Sequence, residues 1–249
     1  MIKVQNLVKE FGARRAVDGV SFSVEPGTVL GFLGPNGAGK TTTIRMIAGF
    51  LRPTAGDITV NGVNILENPI EAQRHVGYMP ERTPLYEEMT VEDFLRFAAE
   101  LRGYQGRERE NKVDEALKAC ILEPVRHQVI ETLSKGYRQR TCLAQSIIHD
   151  PSVLLLDEPT EGLDPNQKKV VRDMIVEMGK RKVIMISTHV LEEVEAICSR
   201  VIIISGGRVV ADNPPAELTR GGQKLEDVFR RITTTEDTGR LTTHTGGAS

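Results

Sequence analysis

The chain has 249 residues, with 32 Lys and Arg against 34 Asp and Glu, a formal net charge of −2. That balance offers no electrostatic argument for nucleic acid, and 4% aromatic residues without Trp leave no base-stacking platform. Cys120, Cys142 and Cys198 lie far apart without a Cys-x-x-Cys pair, and the five His show no metal-ligand spacing; this argues against zinc and for reduced, mostly buried cytosolic thiols.

The opening "MIKVQNLVKEFG" is charged by its third residue, so it does not read as a signal peptide. Residues 2–33 read as short strands: "SFSV" alternates, "PG" turns, and "TVLGFL" is a mostly apolar strand. "GPNGAGKTT" then leads into the helix "TIRMIAGFL". "GDITVNG" is a strand ending in an Asn-Gly turn, and "VGYMP" is another short strand.

From about residue 84 the texture becomes helical. In "TVEDFLRFAAEL" Thr90 is the N-cap with Asp93 three residues on, and Val91, Phe94, Leu95 and Ala98 repeat at helical spacing. "RERENKVDEALKAC" places Val113, Ala116, Leu117 and Cys120 on one face. A third helix runs through "RQRTCLAQSIIH". With no strand candidate, residues 84–149 read as a helical insertion.

The α/β alternation returns at "SVLLLDEP". Asp164 and Pro165 start a helix as N-cap and N1, which turns Val171, Met174, Ile175 and Met178 inward. "KVIMIST", a helix, "RVIII" and "RVVAD" follow. Strands alternating with helices argue for a parallel, helix-covered sheet. The runs "VLLL", "VIMI" and "VIII" are strand-length and fall short of the ~20 residues of a membrane helix, so the chain reads as soluble when isolated. "NPPAEL" and "KLEDVFRRI" read as two short terminal helices, and "TTTEDTGRLTTHTGGAS" as disordered.

The strongest chemical signal is Gly34-Pro35-Asn36-Gly37-Ala38-Gly39-Lys40-Thr41, followed by Thr42, between a strand and a helix. Glycines let backbone N–H groups turn inward around a β-phosphate. Lys40 neutralises β- and γ-oxygens, the Thr41 hydroxyl ligates Mg²⁺, and the helix N-terminus adds its dipole. Next, "VLLLDE" is an apolar strand ending in two acids at the carboxyl edge of a sheet, where ligands bind. Asp157 would hold Mg²⁺ and Glu158 would polarise an attacking water. His189 follows "KVIMIST"; taken alone, a single His is more often structural.

These motifs, in this order, resemble the ATPase subunit of ATP-binding cassette (ABC) transporters over roughly residues 2–215: "GPNGAGKTT", "LSKGYRQR", "LLLDEP", "EGLD" and "STH". The resemblance implies a P-loop NTPase (RecA-like) α/β core, residues 1–83 and 150–215. It adds a small N-terminal antiparallel β subdomain and an inserted helical subdomain, 84–149; residues 216–249 then form the C-terminal helices and tail. It makes His189 catalytic, with Glu158 and Lys40. It places Phe11 against adenine, Ala16 beside the ribose, and Asp164 between two sites of a dimer. Two cassettes would face head to tail, Ser134 and Gly136 of one capping the ATP held by the other. The partners implied are a second cassette, most simply an identical copy, and a transmembrane permease. The chain would sit peripherally on the cytoplasmic face of the cell membrane, without inserting.

Two positions depart from the family pattern. Glu81 replaces a usual Gln after "VGYMP"; it is expected to remain a metal or water ligand. Tyr137 ends the signature where Gln is usual, peripheral to phosphate. "LYEEMTVEDFL" and "KLEDVFRRI" are similar to cassettes serving bacterial exporter-type permeases, and no C-terminal β-domain follows; both favour export. Leu85, Tyr86, Phe94 and Phe97 are candidates for receiving the permease, with Phe94 more simply packing the arm's own core. The alternative is a soluble ABC ATPase acting on a macromolecular complex, although those usually fuse two cassettes or carry a coiled coil.

Overall fold

A computed structural model describes residues 1–220 and 222–241. The first part runs β1 (Ile2–Phe11), β2 (Arg14–Val24), β3 (Val29–Leu33), α1 (Lys40–Ile47), β4 (Ala55–Val60), β5 (Val63–Asn64), α2 (Pro69–Arg74) and β6 (Val76–Met79). An arm of α3 (Val91–Leu101), α4 (Gly106–Ala119) and α5 (Lys135–Ile147) follows, with 3₁₀ turns at Glu123–Val125 and Ile130–Thr132. The chain then runs β7 (Val153–Asp157), α6 (Pro165–Gly179), β8 (Val183–Thr188), α7 (Leu191–Ile197), β9 (Arg200–Ser205), β10 (Arg208–Asn213), α8 (Pro215–Leu218) and α9 (Leu225–Leu241).

Two sheets result. The smaller has order β2-β1-β4-β5 and is antiparallel throughout. The larger has order β10-β9-β3-β8-β7-β6; it is parallel from β9 to β6, with β10 antiparallel at its edge. Its central strands are buried on both faces, which is why they read as unbroken apolar runs instead of alternating ones. Val153 and Leu155 of β7 pack with Phe32, Met185, Ile44 and the small sheet. Leu154 and Leu156 face the opposite way, towards Ile175 of α6 and the arm residues Phe94, Leu117 and Leu143.

Register brings the chemistry together. In a parallel sheet all strand C-termini lie along one edge. Leu33 pairs with Thr188, Asp157 with Ser187, and Met79 with Leu156. The segments that leave this edge begin at Gly34, Glu158, His189 and Pro80. Four stretches separated in sequence therefore meet in space.

Capping follows local chemistry. The Thr90 hydroxyl accepts from Asp93 N (3.1 Å) and donates to the Asp93 carboxylate (2.7 Å). Asp164 Oδ1 accepts from Asn166 N and Gln167 N, both at 3.0 Å. Among the arm candidates, Phe94 is buried in the arm core, Leu85 and Phe97 are half-buried and Tyr86 is exposed. Met178 of α6, expected inward, is half-buried. Burial pushes the thiols of Cys120, Cys142 and Cys198 up to about 12, so at neutral pH they stay protonated and unreactive.

The terminal helix is longer than its apolar pattern suggests. α9 reaches Leu241, well into the Thr-rich stretch expected to be disordered. Leu225 is buried against Leu33, Val194, Val201 and Ile203, with Phe229 and Ile232 packed on the same cluster. That anchoring supplies what Thr propensity does not. The rest of the expected disordered stretch, 242–249, lies outside the described residues. Among the described residues no helix is long and apolar enough to cross a membrane.

Candidate nucleotide site

The loop after β3 folds around its own lysine. Gly37 and Gly39 have φ of 80° and 108°, left-handed values that side chains resist. Gly34 is tight for another reason: a Cβ there would strike the Ile204 carbonyl. Lys40 is buried, and its ammonium donates to Gly34 O at 2.6 Å and Pro35 O at 3.2 Å. Burial lowers its pKa, while the charges of Glu158, Asp157 and Glu81 pull the other way. Helix α1 starts without a side-chain cap, so its first N–H groups remain available to an anion.

A cleft of about 450 Å³ opens over this loop. Phe11, Ala16, Asn36, Gly37, Gly39, Lys40, Thr41, Thr42, Glu81, Glu158 and His189 line it. Phe11 is 51% exposed at the end of β1, with Lys9 Nζ 5.2 Å from its ring centre, so it is a cleft residue and not core. Gly34, Pro35 and Ala38 form the back of the loop and do not line the cleft. Arg14 and Glu161 also line it. Sequence reasoning missed both. Arg14 sits where β2 begins, its guanidinium 3.4 Å from Gly37 O, and no local motif marks it.

Asp157 lies beneath the cleft, fully buried. Its Oδ1 accepts from Thr41 Oγ1 at 3.2 Å and from Ser187 Oγ. Its Oδ2 is buried with no hydrogen-bond partner, which an anionic oxygen does not tolerate without cause. Among the described residues no three His, Cys, Asp or Glu gather into a metal cage. One carboxylate and one hydroxyl with an orphaned oxygen suit Mg²⁺, which takes few protein ligands and completes its shell with phosphate oxygens and water.

Glu158 follows immediately, in the left-handed region at φ 51°. Its Oε1 is 2.9 Å from His189 Nδ1. A carboxylate at Nδ1 places the proton there and leaves Nε2 free towards the cleft, where the ring is 46% exposed. The turn holding His189 is braced from below. Thr188 Oγ1 accepts from Val190 N (3.0 Å) and donates to Glu193 Oε2 (3.1 Å). Glu193 is buried, which raises its carboxyl pKa.

Ser134, Gly136 and Asp164 are not brought to this cleft. Ser134 is exposed and caps α5, its hydroxyl accepting from Tyr137 N at 3.4 Å. Gly136 is packed so closely on α6 that a Cβ would meet the Gln167 side chain at 2.7 Å. Asp164 spends its Oδ1 capping α6.

A glycine loop around a buried lysine, a strand-end Asp-Glu pair and an adjacent His define a P-loop nucleotide-binding protein. The family model described as "ABC transporter" matches residues 17–161. An uncharacterized ABC transporter ATP-binding protein of Methanocaldococcus jannaschii is 37% identical over 243 residues, covering 96% of this chain and 84% of that protein. The probable multidrug ABC transporter ATP-binding protein YbhF of Escherichia coli is also 37% identical, over 88% of this chain; the chain spans 38% of the length of that relative. A solved structure of an ATP binding subunit of an ABC transporter superposes with a TM-score of 0.83 at 31% identity, covering 94% of this chain and 99% of that one. The chain belongs to the ABC transporter family.

Proposed function

We propose that two copies of this cassette sandwich ATP head to tail and hydrolyse it to drive export through a separate permease at the cytoplasmic face of the cell membrane. The observation that carries this reading is a mismatch. One chain holds a cleft with the phosphate loop, Glu158 and His189, yet its signature Ser134 stands exposed elsewhere. Ser134 uses its oxygen as an acceptor, so its hydroxyl proton remains available to a phosphate from a second copy. The α5 N-terminus adds its dipole.

Each residue then has a part. Phe11 and Ala16 receive the base and sugar, and Asn36, the loop N–H groups and Lys40 hold the phosphates. Thr41 and Asp157 would hold Mg²⁺, with Glu81 as a further oxygen ligand; the ion supplies charge neutralisation of the phosphates. Glu158 accepts the proton of the attacking water, and His189 orients Glu158 and the terminal phosphate. Asp164 lies at the seam. Export rests on the probable multidrug role in YbhF's name and on the exporter-like stretches. For docking, the rings of Phe50, 70% exposed, and Tyr78 meet at 5.4 Å with their planes tilted by 45°. Nearby Arg102, where α3 ends, reaches Gln73 O of α2. Tyr86 and Phe97 of the arm, in edge contact at 5.4 Å, are the further candidates for receiving a permease helix.

The test is the order of the reaction in protein. Steady-state ATPase per chain should rise with cassette concentration, and Glu158→Gln should lower turnover by about a hundredfold or more while trapping an ATP-bound dimer on size exclusion. Full turnover by dilute monomer would overturn the reading.

A further inference from the structure

Gln139 sits one turn into α5 and is 4% exposed. Its Nε2 donates to Pro159 O at 3.0 Å and reaches Glu158 O at 3.5 Å. Both partners are carbonyl oxygens, so only the NH₂ end of the amide can face them. Meanwhile Glu158 N donates to Ser187 O at 3.0 Å. The backbone of the Glu158–Pro159 turn is thus held on both sides, by β8 through the Glu158 N–H and by α5 chiefly through the Pro159 carbonyl. A non-glycine residue at positive φ persists only where its surroundings over-determine it. Two further contacts join the same segments: Gly136 against Gln167, and the Lys135 ammonium against Gly162.

We infer that Gln139 is a positioning residue for the backbone of Glu158, tying the signature helix of a chain to that chain's own catalytic turn. The inference rests on Glu158 being the base in the reading above. In a sandwich, the start of α5 touches the nucleotide bound by the other copy. Gln139 then links the capping of one nucleotide to the alignment of the base at the other. It touches no substrate; it acts through the 158–159 backbone.

The experiment compares Gln139→Met and Gln139→Glu with the wild-type full chain and with Glu158→Gln. Gln139→Met keeps length and removes both donors. It should lower kcat about a hundredfold, as misplaced catalytic groups do, with ATP affinity of the dilute protein within twofold of wild type. Combined with Glu158→Gln it should still form the ATP-trapped dimer. Gln139→Glu can donate only when protonated, so its activity relative to wild type should rise as pH is lowered from 8.5 to 6. A Gln139→Met protein with wild-type kcat overturns the inference, as does one losing affinity and turnover together or failing to dimerise in the double variant. If Gln139→Met does not fold, the Gln139→Glu profile decides: a ratio that stays low at every pH overturns it. Should Glu158→Gln itself retain full activity, the functional reading above fails instead, and the two failures are distinguishable.

Discussion

The phosphate-loop end and the signature end of this molecule are both helix N-termini, yet they are built oppositely. At the start of α1 the N-cap is Gly39, with no side-chain cap, and a buried Lys40 lies folded onto Gly34 and Pro35 carbonyls. At the start of α5 Ser134 caps its own helix and lies exposed, beside an open cleft of about 480 Å³ lined by its neighbours Leu133 and Lys135 with Glu81, Arg82 and Gln139. The first end is a closed cradle whose lysine already satisfies itself within the chain. The second is a half-site, offering one hydroxyl and one dipole to whatever approaches. On the proposed reading, affinity belongs to the core and turnover to the assembly.

The sharpest way to break this contrast is to disable each end in turn. Lys40→Met removes the buried ammonium facing the acids of the cleft. ATP affinity of the dilute protein should fall by about two orders of magnitude or more, read by fluorescent-nucleotide titration. Ser134→Ala should leave that affinity within twofold, while lowering turnover at high protein concentration about tenfold, the scale of a hydrogen bond to a charged group. If Ser134→Ala instead weakened binding to the dilute chain as Lys40→Met does, the signature end would be serving its own chain and the contrast would fail.

Much of this was legible because short motifs encode local geometry. Gly37 and Gly39 announce positive φ, Asp164-Pro165 announces a helix start, and five apolar residues ending in Asp157 announce a buried strand. The fold as a family member followed from the order of those motifs. What remained hidden depends on distant partners. Arg14 reaches the cleft only because β2 starts beside the loop. Gln139 looks like any polar residue on a helix until α5 packs over the turn after β7. The Thr-rich stretch looked disordered because its composition argues that way, whereas Leu225, Phe229 and Ile232 seat the start of α9 on a face formed by β3, α7 and β9.

A smaller effect is expected from Glu81, which places a third acid near Lys40 and in the same cleft as Glu158. Glu81→Gln removes repulsion against a triphosphate in a solvent-exposed site. An exposed charge at a few ångströms is worth about 1 kcal/mol, so ATP affinity should tighten about fivefold, more at low salt than at high. The pH profile of ATPase activity should change shape with it. Unchanged affinity, metal dependence and pH profile would show that Glu81 lies outside the working site.

The smallest effect concerns the joint between the two regions. His149 follows α5 and places Nε2 3.1 Å from Val76 O of β6. That bond requires the proton on Nε2, which leaves Nδ1 bare, and Nδ1 is buried without a partner. Protonating it would put a second N–H where nothing accepts. Burial first, then repulsion from Arg102 and Lys182, outweigh the Val76 bond and Asp150 and depress its pKa from 6.5 to about 4. The unfolded chain therefore binds the proton more readily between those values, so the contribution to stability is complete above about pH 6.5 and is lost as pH falls towards 4. The thermal midpoint of wild type should drop between pH 7 and pH 5, above the ordinary carboxylate range, and His149→Gln should flatten that slope while leaving nucleotide affinity at pH 8 unchanged. An equally steep slope in the variant would move the acid sensitivity away from the joint, and the core and arm would then be coupled by packing and by the Gln139 and Arg102 hydrogen bonds.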